Sequence, residues 1–437
     1  MLNTILCILI SIAFVYILAN PKVPNSLLFL LLAPILILTH ILDAATVWGF
    51  FANNSLHLVM IISVYASLMA VSGFDGQIGE TFEHMTRNIN GKNRERGLFG
   101  IIFVLAALCS TIMANSSVTM AMVPALYGIS RRMKISRSKL VLFVIYASTL
   151  GGACTLIGTD TNIFANAALE EAGITPFAMF DFAWVGVPIA ILGGIYMVLF
   201  HHLNKSYDDL EDDDDSMPAP RERTDDMARV MKRQQTGIFL GFFSFILILL
   251  LNSFDFFKAL DINAYAYGYL TIGLLYVFKC FSWKEVLHGF NFERMFMIVG
   301  LLAVIKMITN SSLGSWIGAL LEQSIGGSTS MYFIFTVLFI VTVIITQFMN
   351  NMAACGVISP IAITIAGTLG ADPRAFIMAI AIAAGCGYMT PFASGTNQRM
   401  SVFAKSTIVD YMRYGWPLII ITYLCALLIL PHVFPFF

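Results

Sequence analysis

Residues 27–42, LLFLLLAPILILTHIL, and 236–251, TGIFLGFFSFILILLL, each run sixteen positions without an Asp, Glu, Lys or Arg. A helix needs ~20 residues to cross ~30 Å of hydrocarbon, and segments close to that length recur along all 437 residues. In lipid every backbone polar group must be satisfied inside the structure, so chains of this kind fold as helices or closed barrels. Runs this long and this apolar read as helices, and an all-α polytopic membrane protein is the expected class. Composition agrees: 58% of residues are hydrophobic, 12% are charged, and the mean hydropathy is +0.81. The first run, LNTILCILISIAFVYILA, lacks a basic flank before it and reads as a first span rather than a signal peptide.

Enzymatic chemistry finds little support. The seven cysteines are scattered through apolar runs, the histidines show no metal spacing, and HExxH, P-loop and GxSxG motifs are absent. No cofactor and no nucleic-acid partner are expected.

The chain reads as two copies of one unit, residues 1–201 and 237–437, joined by the charged segment 202–236 containing DDLEDDDD. Asn115 precedes Pro124 by nine positions in MANSSVTMAMVP, as Asn351 precedes Pro360 in MNNMAACGVISP. The segments SGFDGQIG (72–79) and SSLGSWIG (311–318) match upstream. CTLIGTDTN (154–162) lines up with MTPFASGTN (389–397), pairing Thr155 with Thr390, Thr161 with Thr396 and Asn162 with Asn397. Each unit is expected to hold three spans, a re-entrant hairpin tipped by Asn115 or Asn351, a broken span and a final span. Five crossings per unit make the second copy inverted. Twenty-two of the 25 Lys and Arg then fall on the cytoplasmic side, Arg294 and Arg399 among them. Lys258 and Arg374 lie outside and Lys306 within a span, a bias that supports a multi-pass protein of the cell membrane with a cytoplasmic linker.

GGACTLIGTDTN (151–162) is too polar for a plain span. Irregular backbone at membrane depth survives around a buried or water-filled site, where freed carbonyls replace water around a cation and helix N-termini face an anion. Glycines 151, 152 and 158 permit the turn. Asn115 and Asn351 offer amides, and Ser110, Ser116, Ser117, Thr159, Thr161, Thr346, Ser394 and Thr396 offer hydroxyls, with few acids nearby. Neutral oxygen suits a monovalent cation better than a divalent one. Each residue alone could equally be a polar contact between packed helices.

ANSSVT with GGACTLIGTDTN, and NNMAAC with MTPFASGTN, resemble the doubled Ser-Asn-Thr and Thr-Pro-Pro-Asn signatures of the divalent anion:sodium symporter family, within a wider ion transporter superfamily. The resemblance covers essentially the whole chain. It implies one sodium ion at Ser110, Asn115 and the Gly158 loop through Asn162, and another at Thr346, Asn351 and the Ala393 loop through Asn397. It places a small anion, sulfate or a di- or tricarboxylate, between the tips, touching Asn115, Ser116, Asn351 and Met352, with Thr159, Ser394 and Thr396 nearby. It also implies a homodimer that works as an elevator. The sequence departs from the family in Met352, where a hydroxyl is expected, and in lacking the proline pair. Asp160 and Lys306 are candidates for proton coupling, as a proton-linked efflux carrier or sodium/proton antiporter would require; Asp160 could equally be a capping acid and Lys306 a snorkelling base. A channel or an intramembrane enzyme fits the paired breaks less well.

Overall fold

The computed structural model describes residues 2–20, 23–86, 94–203, 225–252, 262–311, 330–404 and 406–437, and among these it is helical with no strand. In the first half, α1 (Leu2–Ala19) leads to a π-helical turn (Leu28–Leu32) continuous with α2 (Ala33–Leu38), where Pro34 sits in the first helical turn. Then come α3 (Ala44–Gly49), α4 (Asn54–Val71), α5 (Phe74–Thr86), α6 (Arg94–Ser110), α7 (Asn115–Met133), α8 (Arg137–Gly152), α9 (Asp160–Glu171) and α10 (Ala183–Leu199). The second half holds, among the described residues, α11 (Asp225–Leu251), α12 (Ala264–Val277), α13 (Trp283–Gly289), α14 (Phe292–Asn310), α15 (Met331–Thr346), α16 (Asn351–Leu369), α17 (Arg374–Gly385), α18 (Gly395–Ala404) and α19 (Ile408–Val433).

Four of these helices are long and apolar enough to cross a membrane unaided, at Asn54–Val71, Arg229–Leu251, Asn351–Leu369 and Ile408–Val433. One of them, Asn351–Leu369, is also an arm of the second hairpin, and two of the shorter helices, α8 and α17, end at the breaks. The sequence reading missed α5, whose FDGQIGETFEHMT is amphipathic and not apolar. Its counterpart in the second half, SSLGSWIG, falls almost wholly outside the described residues. Helix α11 begins at Asp225, inside the charged segment, where Ala, Met, Arg, Lys and Gln favour helix.

The arms of the first hairpin, α6 and α7, pack on α8, and those of the second, α15 and α16, pack on α17. The helix after each break crosses over. α9 packs on α16 and α17, while α18 packs on α7 and α8. Buried tyrosines close this crossing: Tyr146 donates to Tyr388 O (2.6 Å), and Tyr414 donates to Met197 O (2.8 Å). On the other side α4 contacts α11, α12 and α13, and Tyr65 donates to Thr271 Oγ1 at 2.7 Å.

Helix α9 is fastened to α4 and α14 by charge. Glu170 accepts from the amides of Asn54 and Ser55 and from Ser55 Oγ (3.2, 3.5 and 3.1 Å), which places a carboxylate at the positive end of α4. Lys306 on α14 pairs with Glu171 Oε1 at 2.9 Å. The Glu171→Gln variant leaves the Lys306 ammonium without its carboxylate. It is expected to lose about 1–3 kcal/mol, less than a fully buried pair because both side chains keep some solvent contact. Thermal unfolding in detergent checks this, and Glu171→Gln with Lys306→Met should recover most of the loss.

Candidate functional site

Each hairpin tip is locked to the break of its own unit by the same set of bonds. Thr155 Oγ1 donates to Thr111 O in the first tip, and Thr390 Oγ1 donates to Gln347 O in the second at 2.7 Å. Asn162 Nδ2 donates to Thr155 O (2.8 Å), and Asn397 Nδ2 donates to Thr390 O (2.9 Å) and Gly387 O (2.7 Å). Backbone freed by the unwinding is thus satisfied by side chains set at matched positions. The close approach needs small residues. A Cβ on Gly158 would collide with the backbone of Gly152, and in the second unit Ala393 stands against Gly387.

Around the tip asparagines the oxygens converge. Ser110 Oγ donates to Asn115 Oδ1 at 2.5 Å, and Thr346 Oγ1 donates to Asn351 Oδ1 at 3.0 Å and to Ala384 O at 2.7 Å. With the amide turned over, the Asn115 nitrogen donates to Ser110 Oγ, Ser148 O and Gly158 O, and that of Asn351 to Thr346 Oγ1, Ala384 O and Ala393 O. Each asparagine therefore sits among a hydroxyl and two backbone carbonyls. In one orientation its NH2 offers two protons to these three acceptors; in the other its oxygen joins them in an all-oxygen cluster of the kind that replaces water around a monovalent cation.

Both tips and both breaks border one cavity of about 170 Å³, below the ~300–1,000 Å³ of sites for drug-sized ligands. Asn115, Ser116, Gly158, Thr159, Asp160, Thr161, Asn351, Met352, Ser394 and Thr396 line it. Ser110, Asn162, Thr346, Ala393 and Asn397 stand behind this lining, and Lys306 lies away from it, paired with Glu171. A wider cavity of about 1110 Å³, lined by Leu18, Ser26, Glu293, Phe348 and Gln398 among others, adjoins it at Asn350.

Two charged residues of the lining were not expected. Arg294, from the start of α14, and Arg399, from α18, both border the cavity, although the charge pattern had counted them as loop residues. Arg294 Nη1 lies 3.3 Å from Asp160 Oδ1 and 3.5 Å from Ser63 Oγ. Arg399 Nη1 donates to Ser116 Oγ at 3.5 Å and has no carboxylate partner among the described residues. With two guanidinium groups and one carboxylate, the lining is net positive. No side chain caps α7, so the positive end of that helix also faces the tip, whereas Asn350 Oδ1 already accepts from Met352 N at 2.9 Å on α16. Local sequence did hold a signal for Arg399: it sits two residues after Asn397, on the helix that leaves the break.

The family model for citrate transporters matches residues 14–380. The chain belongs to the citrate transporter family. Among relatives of this transporter, the sodium-dependent dicarboxylate transporter SdcS of Staphylococcus aureus is 24% identical over 95% of this chain and 83% of its own length. The uncharacterized transporter YfbS of Escherichia coli is 26% identical, but over only 36% of this chain and 26% of its own. The crystal structure of the YdaH transporter of Alcanivorax borkumensis superposes with a TM-score of 0.63 at 14% identity, covering 98% of this chain and 96% of that one, a likeness of fold.

Gly158→Ala is expected to push the first break off the tip, at a cost of about 1–3 kcal/mol, and to reduce transport at least ~tenfold. Gly367→Ala, with open space around it inside α16, should leave transport intact. Uptake into proteoliposomes by equal amounts of each folded variant checks the pair.

Proposed function

We propose that this citrate-family transporter couples the entry of sodium to that of a small anion, sulfate or a di- or tricarboxylate, by elevator-type alternating access of two units inverted across the bilayer. The observation that carries this reading is the net positive cavity bounded by both tips and both breaks. An anion there meets Ser116, the open start of α7 and the Arg399 fork, which can grip two oxygens at once. Sodium ions occupy the oxygen clusters at Asn115 and Asn351, and the asparagine amides turn to satisfy those clusters when the ions leave. Each net positive charge carried inward gains ~2.3 kcal/mol per 100 mV, so excess sodium over anion charge drives uptake. The printed name of the SdcS relative, a sodium-dependent dicarboxylate transporter, supports the same coupling.

Uptake of radiolabelled sulfate and of C4 and C6 carboxylates into proteoliposomes, with and without an inward sodium gradient, decides the matter. One of these anions should accumulate only with the gradient, and sodium-independent movement of all of them would sink the proposal. Arg399→Gln should raise the KM for that anion by ~10- to 100-fold, the weight of a charge-assisted hydrogen bond, with Arg399→Lys intermediate.

The second reading, proton coupling, is favoured by one observation: the Asp160 carboxylate lines the cavity opposite Arg294. A carrier of that kind changes its pH–rate profile in Asp160→Asn; an unchanged profile eliminates it.

A further inference from the structure

Beside the main cavity, sharing Thr149, Thr159, Thr161 and Gly385 with its lining, lies a smaller one of about 10 Å³, room for a single atom-sized occupant. It is enclosed by α8, α9 and α10 from the first half and by α17 and α19 from the second, and neither hairpin contributes to it. No Asp, Glu, Lys or Arg lines it. What the lining offers is oxygen with its protons already committed. Thr149 donates to Ile145 O at 2.8 Å and Thr422 to Leu418 O at 2.7 Å, so both retain only lone pairs for a further partner. Tyr388 also belongs to the lining. Thr159 and Thr161 bond one another at 3.1 Å, which consumes a further proton. Asn162 is 0% exposed; its Nδ2 is taken by Thr155 O, and its Oδ1 has no hydrogen-bond partner among the described residues. An acceptor buried this deeply is satisfied by an occupant or pays heavily in lost hydration.

The backbone adds to this field. The carbonyl ends of both half-helices α8 and α17 reach the cavity, at Thr149 and Gly385, against the single amino end of α9. Two negative ends against one positive end, over a shell of acceptors, select a cation. An anion finds too few donors there, and a water molecule has only two protons for at least three acceptors.

We propose that this cavity is a further sodium site, separate from the oxygen clusters at Asn115 and Asn351 and held jointly by both halves of the chain. It rests on the sodium coupling proposed above. Because its walls come from both units, an ion here would register their relative position, which neither tip cluster does alone.

Thr422 tests it, since its own proton goes to the preceding turn of its helix and valine keeps its shape. Thr422→Val and Thr422→Ser are compared with the unaltered protein in two measurements: sodium-dependent thermal stabilisation in detergent without anion, and initial uptake rate against sodium concentration. Each protein's shift is read from its own melting temperature without sodium, so a change in packing around Tyr388 does not enter. Thr422→Val should need about tenfold more sodium for half-maximal effect in both measurements and show a shallower Hill slope, with Thr422→Ser close to the unaltered protein. A Thr422→Val response that matches the unaltered protein in both measurements overturns the site and leaves a water in its place. An unaltered protein that ignores sodium overturns the coupling itself, a result distinguishable from the first.

Discussion

The rest of the fold depends on how backbone groups are satisfied where two helices unwind inside an apolar bundle. Left bare, each such group costs several kcal/mol by order of magnitude. The chain resolves this by pairing each break with the tip of a hairpin: a threonine of the break donates into the tip, and an asparagine seven positions later donates back into the break. The same arrangement that repairs the backbone leaves a second set of carbonyls turned toward the asparagine at each tip. Those surplus carbonyls, with a serine or threonine hydroxyl, are what a small cation can use. Under the proposed function, structural repair and ion coordination would be served by one network, with few acidic residues required.

The two halves share this network but differ in how they are fastened. Helix α9 is tied to α4 by Glu170 and to α14 by Glu171 and Asp160, whereas α18 packs within the hairpin and break layer. These ties make the two halves unequal around α9. Asp160 does so at the cavity itself, since its partner Arg294 belongs to α14. Under the proposed function, an anion that drew Arg294 toward itself would weaken one of those ties.

Much of this was legible in the residues. The near-constant offset of 235 to 236 positions between Thr155 and Thr390, Asn115 and Asn351, and Asn162 and Asn397 corresponds to equivalent hydrogen bonds in the fold, because a satisfied break tolerates few alternatives. The gathering of both tips and both breaks on one cavity followed from the same pairing. Less was readable where an element escapes hydrophobic counting. Helix α5 reads as a polar connector, yet its Gly79 approaches the backbone of Ala121 on α7. The arginines were misplaced for a related reason. A basic residue beside an apolar run contributes to topology by its side of the membrane alone, and charge counting cannot distinguish one facing lipid headgroups from one facing a cavity.

That distinction bears on Met352, the position where the family resemblance leads one to expect a hydroxyl. Its side chain is buried at 2% exposure, and its amide is already capped by Asn350, so the second tip has little to offer an anion. The first tip retains Ser116 and an uncapped helix start, and Arg399 reaches it from the second half. What the second tip lacks in polar groups is thus made up by a charge that leans on the first. A site built from two matched tips would hold an anion symmetrically between them. In the proposed function this one would draw it toward Ser116, and the guanidinium concerned is carried by the helix leaving the opposite break, so binding the anion would pull the two halves together across the cavity.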